Sequence, residues 1–313
     1  MPKLPRVVLA IKVLICLLVV GHGLSLLGRY HFIFDNLTSF RVHFFVGFVI
    51  TTIACGWVER SRWLLLSSMF VILSAVPLTP WVLTERAQNS PDSDFSILFV
   101  NLLVGNGNTR PLIAMVDDEQ PTIVAVVELT PRHAQRLAPI HERYPHRYID
   151  PRFAYGGIAI YSQIPLVATE VLHTSREAPV VATSLITVAG KRLRLVVAHP
   201  LSPTSFDGAA RRNEQLDVLG DYLADQEYPV VLAGDLNITM WSPYYADFVA
   251  RTQLVNAQWG RMIEGTWPAW FGPKVPIDHV LVSPDLSIAQ FDVLDAVESD
   301  HLPIRAKIKI MGD

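Results

Sequence analysis

The stretch Val230-Val-Leu-Ala-Gly-Asp-Leu-Asn-Ile-Thr239 carries the residue types best suited to chemistry. Its apolar start, Val230 to Ala233, predicts a buried strand. A glycine follows, and Asp235 and Asn237 come at the strand's carboxyl end. Period-two alternation would turn both side chains to one face, with Leu236 turned aside. A carboxylate beside an amide at the mouth of a sheet suits an active site. Gly-Asp-x-Asn is equally good turn chemistry. Further polar residues stand at predicted strand ends: Asn101, Glu128, His199, Asp278 with His279, and Asp300 with His301. Each alone reads as a turn or loop residue. Together they bring acids, amides and imidazoles to one edge of a sheet structure, and these are groups that bind a metal or a phosphate.

The elements that must position them follow from short apolar or β-branched runs bounded by breakers. Strands are predicted at Phe95 to Asn101, Ile123 to Val127, Gly157 to Tyr161, Val180 to Val188, Leu193 to Ala198, Val230 to Ala233, Val280 to Val282 and Ile304 to Ile310. Helices are predicted at Arg110 to Asp118, Pro131 to Tyr144 and Ala209 to Gln226, the last with an apolar stripe of Leu216, Leu219, Leu223 and Ala224. Hairpins mixed with strand-helix alternation predict a layered α/β sandwich.

In this order, Asn101, Glu128, His199, Gly234-Asp235-Leu236-Asn237, Ile277-Asp278-His279 and Ser299-Asp300-His301 resemble the endonuclease/exonuclease/phosphatase superfamily. Tyr155-Gly-Gly-Ile-Ala-Ile-Tyr-Ser162 is similar to that family's central Gly-rich strand. The resemblance covers roughly residues 94 to 310. It implies a deoxyribonuclease-like four-layer α/β sandwich and Mg²⁺-dependent hydrolysis of a phosphate ester, with Mn²⁺ as an alternative ion. Mg²⁺ prefers hard oxygen ligands, so Glu128, helped by Asn101 and Asp300, is the expected metal set. Asp235 is expected to orient or deprotonate the attacking water, and Asn237 to donate to a phosphate oxygen. His301 is expected to act as base or phosphate ligand, oriented by Asp278. His199 would bind a non-bridging oxygen or protonate the leaving group. Arg212, early in its helix, is a candidate phosphate ligand and equally a surface arginine. His279 should point away from the site by alternation.

Composition divides the chain in two. Half of the 313 residues are hydrophobic and only 18% are charged. Residues 1–91 hold eight Lys+Arg against three Asp+Glu; from Asp92 onward the counts are eighteen and twenty-six, a net of −8. Val7 to Leu27, Val42 to Val58 and Trp63 to Leu83 are apolar runs able to cross a hydrocarbon core of about 30 Å. Pro77 and Pro80 should kink or stop the third. Trp57, Trp63 and Trp81 sit where an interfacial belt would place them. Lys3, Arg6, Arg60 and Arg62, with Lys12 near them, outweigh Arg29, Arg41 and Arg86, which puts the amino terminus in the cytoplasm. The expected organisation is a three-helix membrane domain at 1–84, a polar linker at 85–93 and a catalytic domain at 94–313. That domain is expected outside a bacterial inner membrane, and it contains no cysteine.

The substrate is less legible. A nucleic-acid enzyme usually carries a basic footprint, whereas the −8 domain has only Lys191-Arg-Leu-Arg194 and Arg211-Arg212. A nuclease is therefore allowed but not favoured. Lipid head groups, lipid-linked phosphates and nucleotides are the other candidates. Trp267, Trp270 and Phe271, like Trp241 and Tyr244-Tyr245, suit base stacking, a lipid interface or a core. An inactive adaptor is the competing class, and the intact catalytic set argues against it. A transporter subunit finds no paired intramembrane acids.

Overall fold

The apolar runs of the amino-terminal half fold as helices. The computed structural model describes residues 4–58, 62–83, 89–153, 156–172 and 181–311. Here α1 (Leu4–Ser25), α2 (Phe32–Thr38), α3 (Arg41–Val58) and α4 (Arg62–Ala75) come first. After α4 a 3-10 turn, Val76–Leu78, leads into α5 (Thr79–Val82). Pro77 and Pro80 fall at this change, because neither can donate a helical N–H. Pro5–Ser25, Arg41–Val58 and Arg62–Val82 are long and apolar enough to cross a membrane. They pack through small and hydroxyl residues: Gly21 lies against Phe44, Gly47 against Leu18, and Thr51 and Thr52 bond Ser67. Lys3, Arg60 and Arg86, used in the charge argument, lie outside the described residues, as do Tyr155, Val180 and linker positions 84–88.

The second half forms β1 (Phe95–Asn101), α6 (Arg110–Glu119), β2 (Ile123–Leu129), α7 (Pro131–Arg136), β3 (His146–Asp150), β4 (Gly157–Ser162), β5 (Val167–Leu172), β6 (Val181–Val188), β7 (Lys191–Ala198), α8 (Phe206–Ala224), β8 (Val230–Asp235), α9 (Pro243–Thr252), β9 (Val255–Asn256), β10 (Asp278–Val282), β11 (Leu286–Val293) and β12 (Ile304–Ile310). One six-stranded sheet runs β11-β12-β1-β2-β4-β3, the other β5-β6-β7-β8-β10-β9. Each contains one parallel pair joined by a crossover helix, β1-α6-β2 and β7-α8-β8. Ile97, Phe99, Ala125, Leu195, Val197, Val231 and Val280 interdigitate between the two sheets. Leu112 and Val116 of α6 cover the outer face of the first sheet. Leu216, Leu219, Leu223 and Phe248 of α8 and α9 cover the outer face of the second. The result is the expected four-layer sandwich.

Several elements depart from the sequence reading. Expected helix 131–144 breaks after Arg136 and resumes as a 3-10 turn, Ala138–His141, around Pro139. Helix α8 starts three residues early because Ser205 caps it, accepting from Gly208 N. Helix α9 is unexpected, although Ser242 at its N-cap with Pro243 behind it is a start signal. Strands β3, β5 and β11 lack a continuous apolar run, because much of each faces solvent or the sheet rim. Trp81 does not join an interfacial belt. It is buried in the α8/α9 layer, edge-on to Trp259 at 4.8 Å, while Trp57 remains 88% exposed.

Trp81 is one of several joints between the halves. Arg29 forms a bidentate pair with Asp247, both bonds 2.7 Å. Asn36 Nδ2 donates to Pro203 O at 3.0 Å. Asp35 of α2 is 3% exposed and accepts from Arg212 Nη2 and from Ser242 Oγ, each at 2.5 Å. The linker's described end is also tied down, with Ser90 N donating to Ala289 O at 2.9 Å.

Candidate active site

The carboxyl ends of the two parallel pairs meet. Asn101 ends β1 and Asp235 ends β8, in different sheets, and Asn101 Nδ2 donates to Asp235 Oδ2 at 3.0 Å. The same Nδ2 donates to Glu128 Oε1 at 3.0 Å, while Val104 N donates to Glu128 Oε2 at 2.8 Å. Glu128 lies where the β2–β4 register shifts, with φ 57°. This bulge turns its carboxylate out of the ladder and toward the site. The close approach depends on Gly156, itself at φ 69°: a Cβ there would sit 2.1 Å from Glu128 Cα. In the same way Gly234 lets β8 lie close to β7, since a Cβ would come 2.3 Å from Ala198 O, one residue before His199.

Two histidines flank Asp235. His199 Nε2 lies 3.5 Å from Asp235 Oδ2 and 3.8 Å from Glu128 Oε1. His301 Nε2 lies 3.6 Å from Asp235 Oδ2, and its Nδ1 bonds Asp278 Oδ2 at 2.9 Å. Asp278 is opposite Asp235 in the antiparallel β8–β10 register, which places it behind His301. Burial opposes charge on His301, but the Asp278 and Asp235 carboxylates outweigh it and raise its pKa to about 10. His199 is raised too, burial again opposing and Asp235 and Glu128 prevailing. Burial also disfavours the Asp235 anion, yet His301, His199 and the Asn237 N–H hold it below the ordinary carboxylate value. The free site is thus an ionised aspartate between two imidazoles biased toward the cationic form.

Glu128, His199, Asp235 and His301 line a cavity of about 500 Å³ together with Asn237, Asp300 and Trp267, while Asn101 and Asp278 stand behind this lining. Asn237 reaches it by a different route from the expected one. The strand ends at Asp235, and Asn237 sits at φ 50°, bonding Asp235 Oδ1 through its N–H at 2.9 Å. Strand alternation therefore does not extend to Asn237. Its Nδ2 donates to Pro200 O at 3.0 Å. His279 does turn away: it bonds Asn256 and Ile238 O in the core, and burial holds its pKa down at about 4.

Arg212 is the clear correction. It does not line the cavity but lies fully buried, paired with Asp35, and donates through Nη1 to Asn237 O at 2.8 Å. With its charge already neutralised it braces the Asp235–Asn237 turn from behind rather than facing a phosphate. Arg152 and Asp35 escaped the sequence reading, and Trp267, read there as a stacking, lipid-facing or core residue, proves to bond Asp300. Trp267 Nε1 donates to Asp300 Oδ2 at 3.1 Å, Arg152 lines the cavity, and Asp35 anchors Arg212. The signal for Asp35 was available: it is the only aspartate before residue 92, in a short segment between two apolar runs.

Two groupings bear on a metal. Asp235, Asp278 and His301 hold their ligand atoms within 4.8 Å of one another, but His301 Nδ1 is already engaged by Asp278. The Glu128 carboxylate and Asp300 also face the cavity, and Asp300 Oδ1 is buried with no hydrogen-bond partner. An orphaned carboxylate oxygen is costly unless a cation completes it. The oxygen-rich donor set therefore fits a hard divalent ion.

Known proteins share the fold of the sandwich. The endonuclease/exonuclease/phosphatase family model matches residues 98–301. No curated protein matches in sequence. Among solved structures, an endonuclease/exonuclease/phosphatase from Beutenbergia cavernae superposes with a TM-score of 0.59 at 22% identity, covering 71% of this chain and 72% of that one. A mannosyl-6-phosphatase of Bacteroides thetaiotaomicron gives 0.56 at 17% identity, over 68% and 99% of the two chains. Sphingomyelinase C of Streptomyces griseocarneus gives 0.51 at 18%, over 68% and 98%. The match from the first sheet to His301, on a sandwich of the same kind, places the chain in the endonuclease/exonuclease/phosphatase family, whose members are hydrolases acting on phosphate esters.

Proposed function

We propose that the chain is a membrane-anchored, Mg²⁺-dependent phosphoesterase. The observation that carries this reading is the convergence on Asp235 Oδ2 of Asn101, His199 and His301, with Asp278 behind His301. Ionised Asp235 is suited to orient a water and take its proton. His301, kept cationic by two carboxylates, is suited to hold a phosphate oxygen rather than to act as base. His199 presents an N–H beside it, and the second amide hydrogen of Asn237 is free to donate. Glu128, with Asn101 and Asp300, would hold Mg²⁺ or Mn²⁺, which offsets charge on the phosphoryl and leaving oxygens. The acidic domain disfavours nucleic acid as the usual substrate.

The full chain in detergent should release nitrophenol from bis(p-nitrophenyl) phosphate or p-nitrophenyl phosphate. EDTA should cut the rate at least about 100-fold, and excess Mg²⁺ should restore it. Absence of turnover of both esters with either ion would overturn the reading.

We further propose that the amino terminus is cytoplasmic and the sandwich lies on the outer face of a bacterial inner membrane. The segment after α1, helix α2 and helix α5 adjoin the sandwich through Arg29, Asn36 and Trp81. On that side Arg29 is neutralised by Asp247, so it weighs little against Arg6 and Arg62 at the opposite ends. Alkaline phosphatase fused after residue 90 should be active in a bacterial host and green fluorescent protein at that site dark. The reverse pattern would place the sandwich in the cytoplasm.

A further inference from the structure

The catalytic cavity is not closed by the sandwich alone. Asn36, Ser39 and Phe40 form part of its wall together with Glu128, His199 and His301. These three belong to α2 and the two residues after it, between the first two candidate spans. Phe40 immediately precedes Arg41, the first residue of a span. The wall of the reaction site is thus continuous with a helix end that a bilayer would surround. The lining also includes Leu201, Val275 and Ile277, which add apolar surface beside the acids and imidazoles.

A second observation concerns residues near in sequence to the lining. Phe153, Phe206, Trp270 and Phe271 are 60–84% exposed. Each lies within four residues of a lining residue: Arg152, Thr204 or Trp267. Large exposed aromatics in two loops and at the start of α8, each near in sequence to residues that line one cavity, are costly in water and favourable at a membrane surface. Their neighbours Arg152, Thr204 and Trp267 line the same cavity as Asn36, Ser39 and Phe40.

Building on the phosphoesterase reading, we propose that the substrate is a bilayer lipid bearing a phosphate ester. Its head group enters the cavity while its hydrocarbon chains remain in the membrane beside Phe40. Hydrolysis proceeds on the head group: a water oxygen bonds to phosphorus and the bond from phosphorus to the ester oxygen breaks. The proton lost by the water is matched by the one gained by the leaving alcohol. A lipid in place needs no transfer of its chains through water, which a soluble enzyme of this fold would have to arrange.

The test uses the full chain in nanodiscs of a bacterial inner-membrane polar lipid extract, with Mg²⁺. ³¹P NMR follows the lipid phosphates. The same extract after mild alkaline deacylation supplies the matching water-soluble head groups, and bis(p-nitrophenyl) phosphate reports the bare chemistry. A lipid phosphate should disappear at least about tenfold faster than its deacylated counterpart at equal phosphate. The Phe40→Ser chain and the Trp270→Ser/Phe271→Ser chain should each lower that ratio about tenfold, the loss expected when one or two aromatic contacts with lipid are removed. Melting temperatures check that both variants fold. Turnover of the chromogenic ester with lipids untouched, or deacylated head groups cleaved as fast as lipids, overturns the lipid assignment alone. Loss of all three activities overturns the phosphoesterase reading beneath it.

Discussion

Asp35→Ala should destabilise the full chain by about 3–5 kcal/mol, because it leaves a buried guanidinium without its counter-ion. Arg212 is 1% exposed, and the carboxylate that neutralises it comes from α2, outside the sandwich. The other hydrogen bonds of Arg212 go to neutral acceptors, Asn213 Oδ1 and Asn237 O, and its guanidinium lies over the Tyr244 ring, none of which carries a balancing charge. Thermal unfolding in detergent should show the loss as a fall in Tm of roughly 6–20 °C. Removing both charges tests the cause. The Asp35→Ala/Arg212→Met chain should recover part of the stability, since no lone charge then remains buried. A single variant within about 1 kcal/mol of wild type would mean that water reaches Arg212 and that the pair is not what joins the halves. The same physics bears on the sandwich made alone. Residues 92–313 lack Asp35, Trp81 and Arg29, so that fragment would expose the α8/α9 layer and strand Arg212. Function is best measured on the full chain.

Asp235→Asn should lower kcat by about 10²–10⁴-fold while the fold is retained. The substitution keeps the side chain's shape but removes the negative charge that faces His199 and His301, and with it the proton acceptor. An amide there also places an N–H or a weaker acceptor opposite Asn101 Nδ2. Circular dichroism should remain close to wild type, because the neighbouring strands β7, β8 and β10 are held by their own ladders, while Tm should fall with the loss of the ion pairs to His199 and His301. If the variant retained more than about a tenth of the wild-type rate, proton transfer would have to be assigned to another group, and the orientation of His301 by Asp278 would become the feature to test.

Both predictions concern residues whose side chains are set by contacts distant in sequence, and that separates what could be read directly from what could not. The strand-forming runs around Phe99, Val126, Val197 and Leu232 are local patterns, and the structure places strands where they occur. The same holds for the apolar helices, whose length and composition suffice to define them. The polar residues at strand ends were legible as a set because chain order and β-strand geometry bring strand termini to one edge. Asn237 was legible as a site residue but not in its conformation: the turn after Asp235 puts it at φ 50°, and that depends on the hydrogen bond back to Asp235 Oδ1.

Residue types and their order in the sequence were enough to determine a phosphate-handling α/β sandwich preceded by three apolar helices. Only the tertiary structure decided that Arg212 braces the site instead of facing the substrate, that Trp81 belongs to a core, and that α2 supplies a wall of the cavity. The physical reason is range. Periodicity and turn chemistry act over a few residues and leave a trace in the local sequence. A buried charge is neutralised by whichever carboxylate the packing delivers, and Asp35 reaches Arg212 across 177 residues of chain.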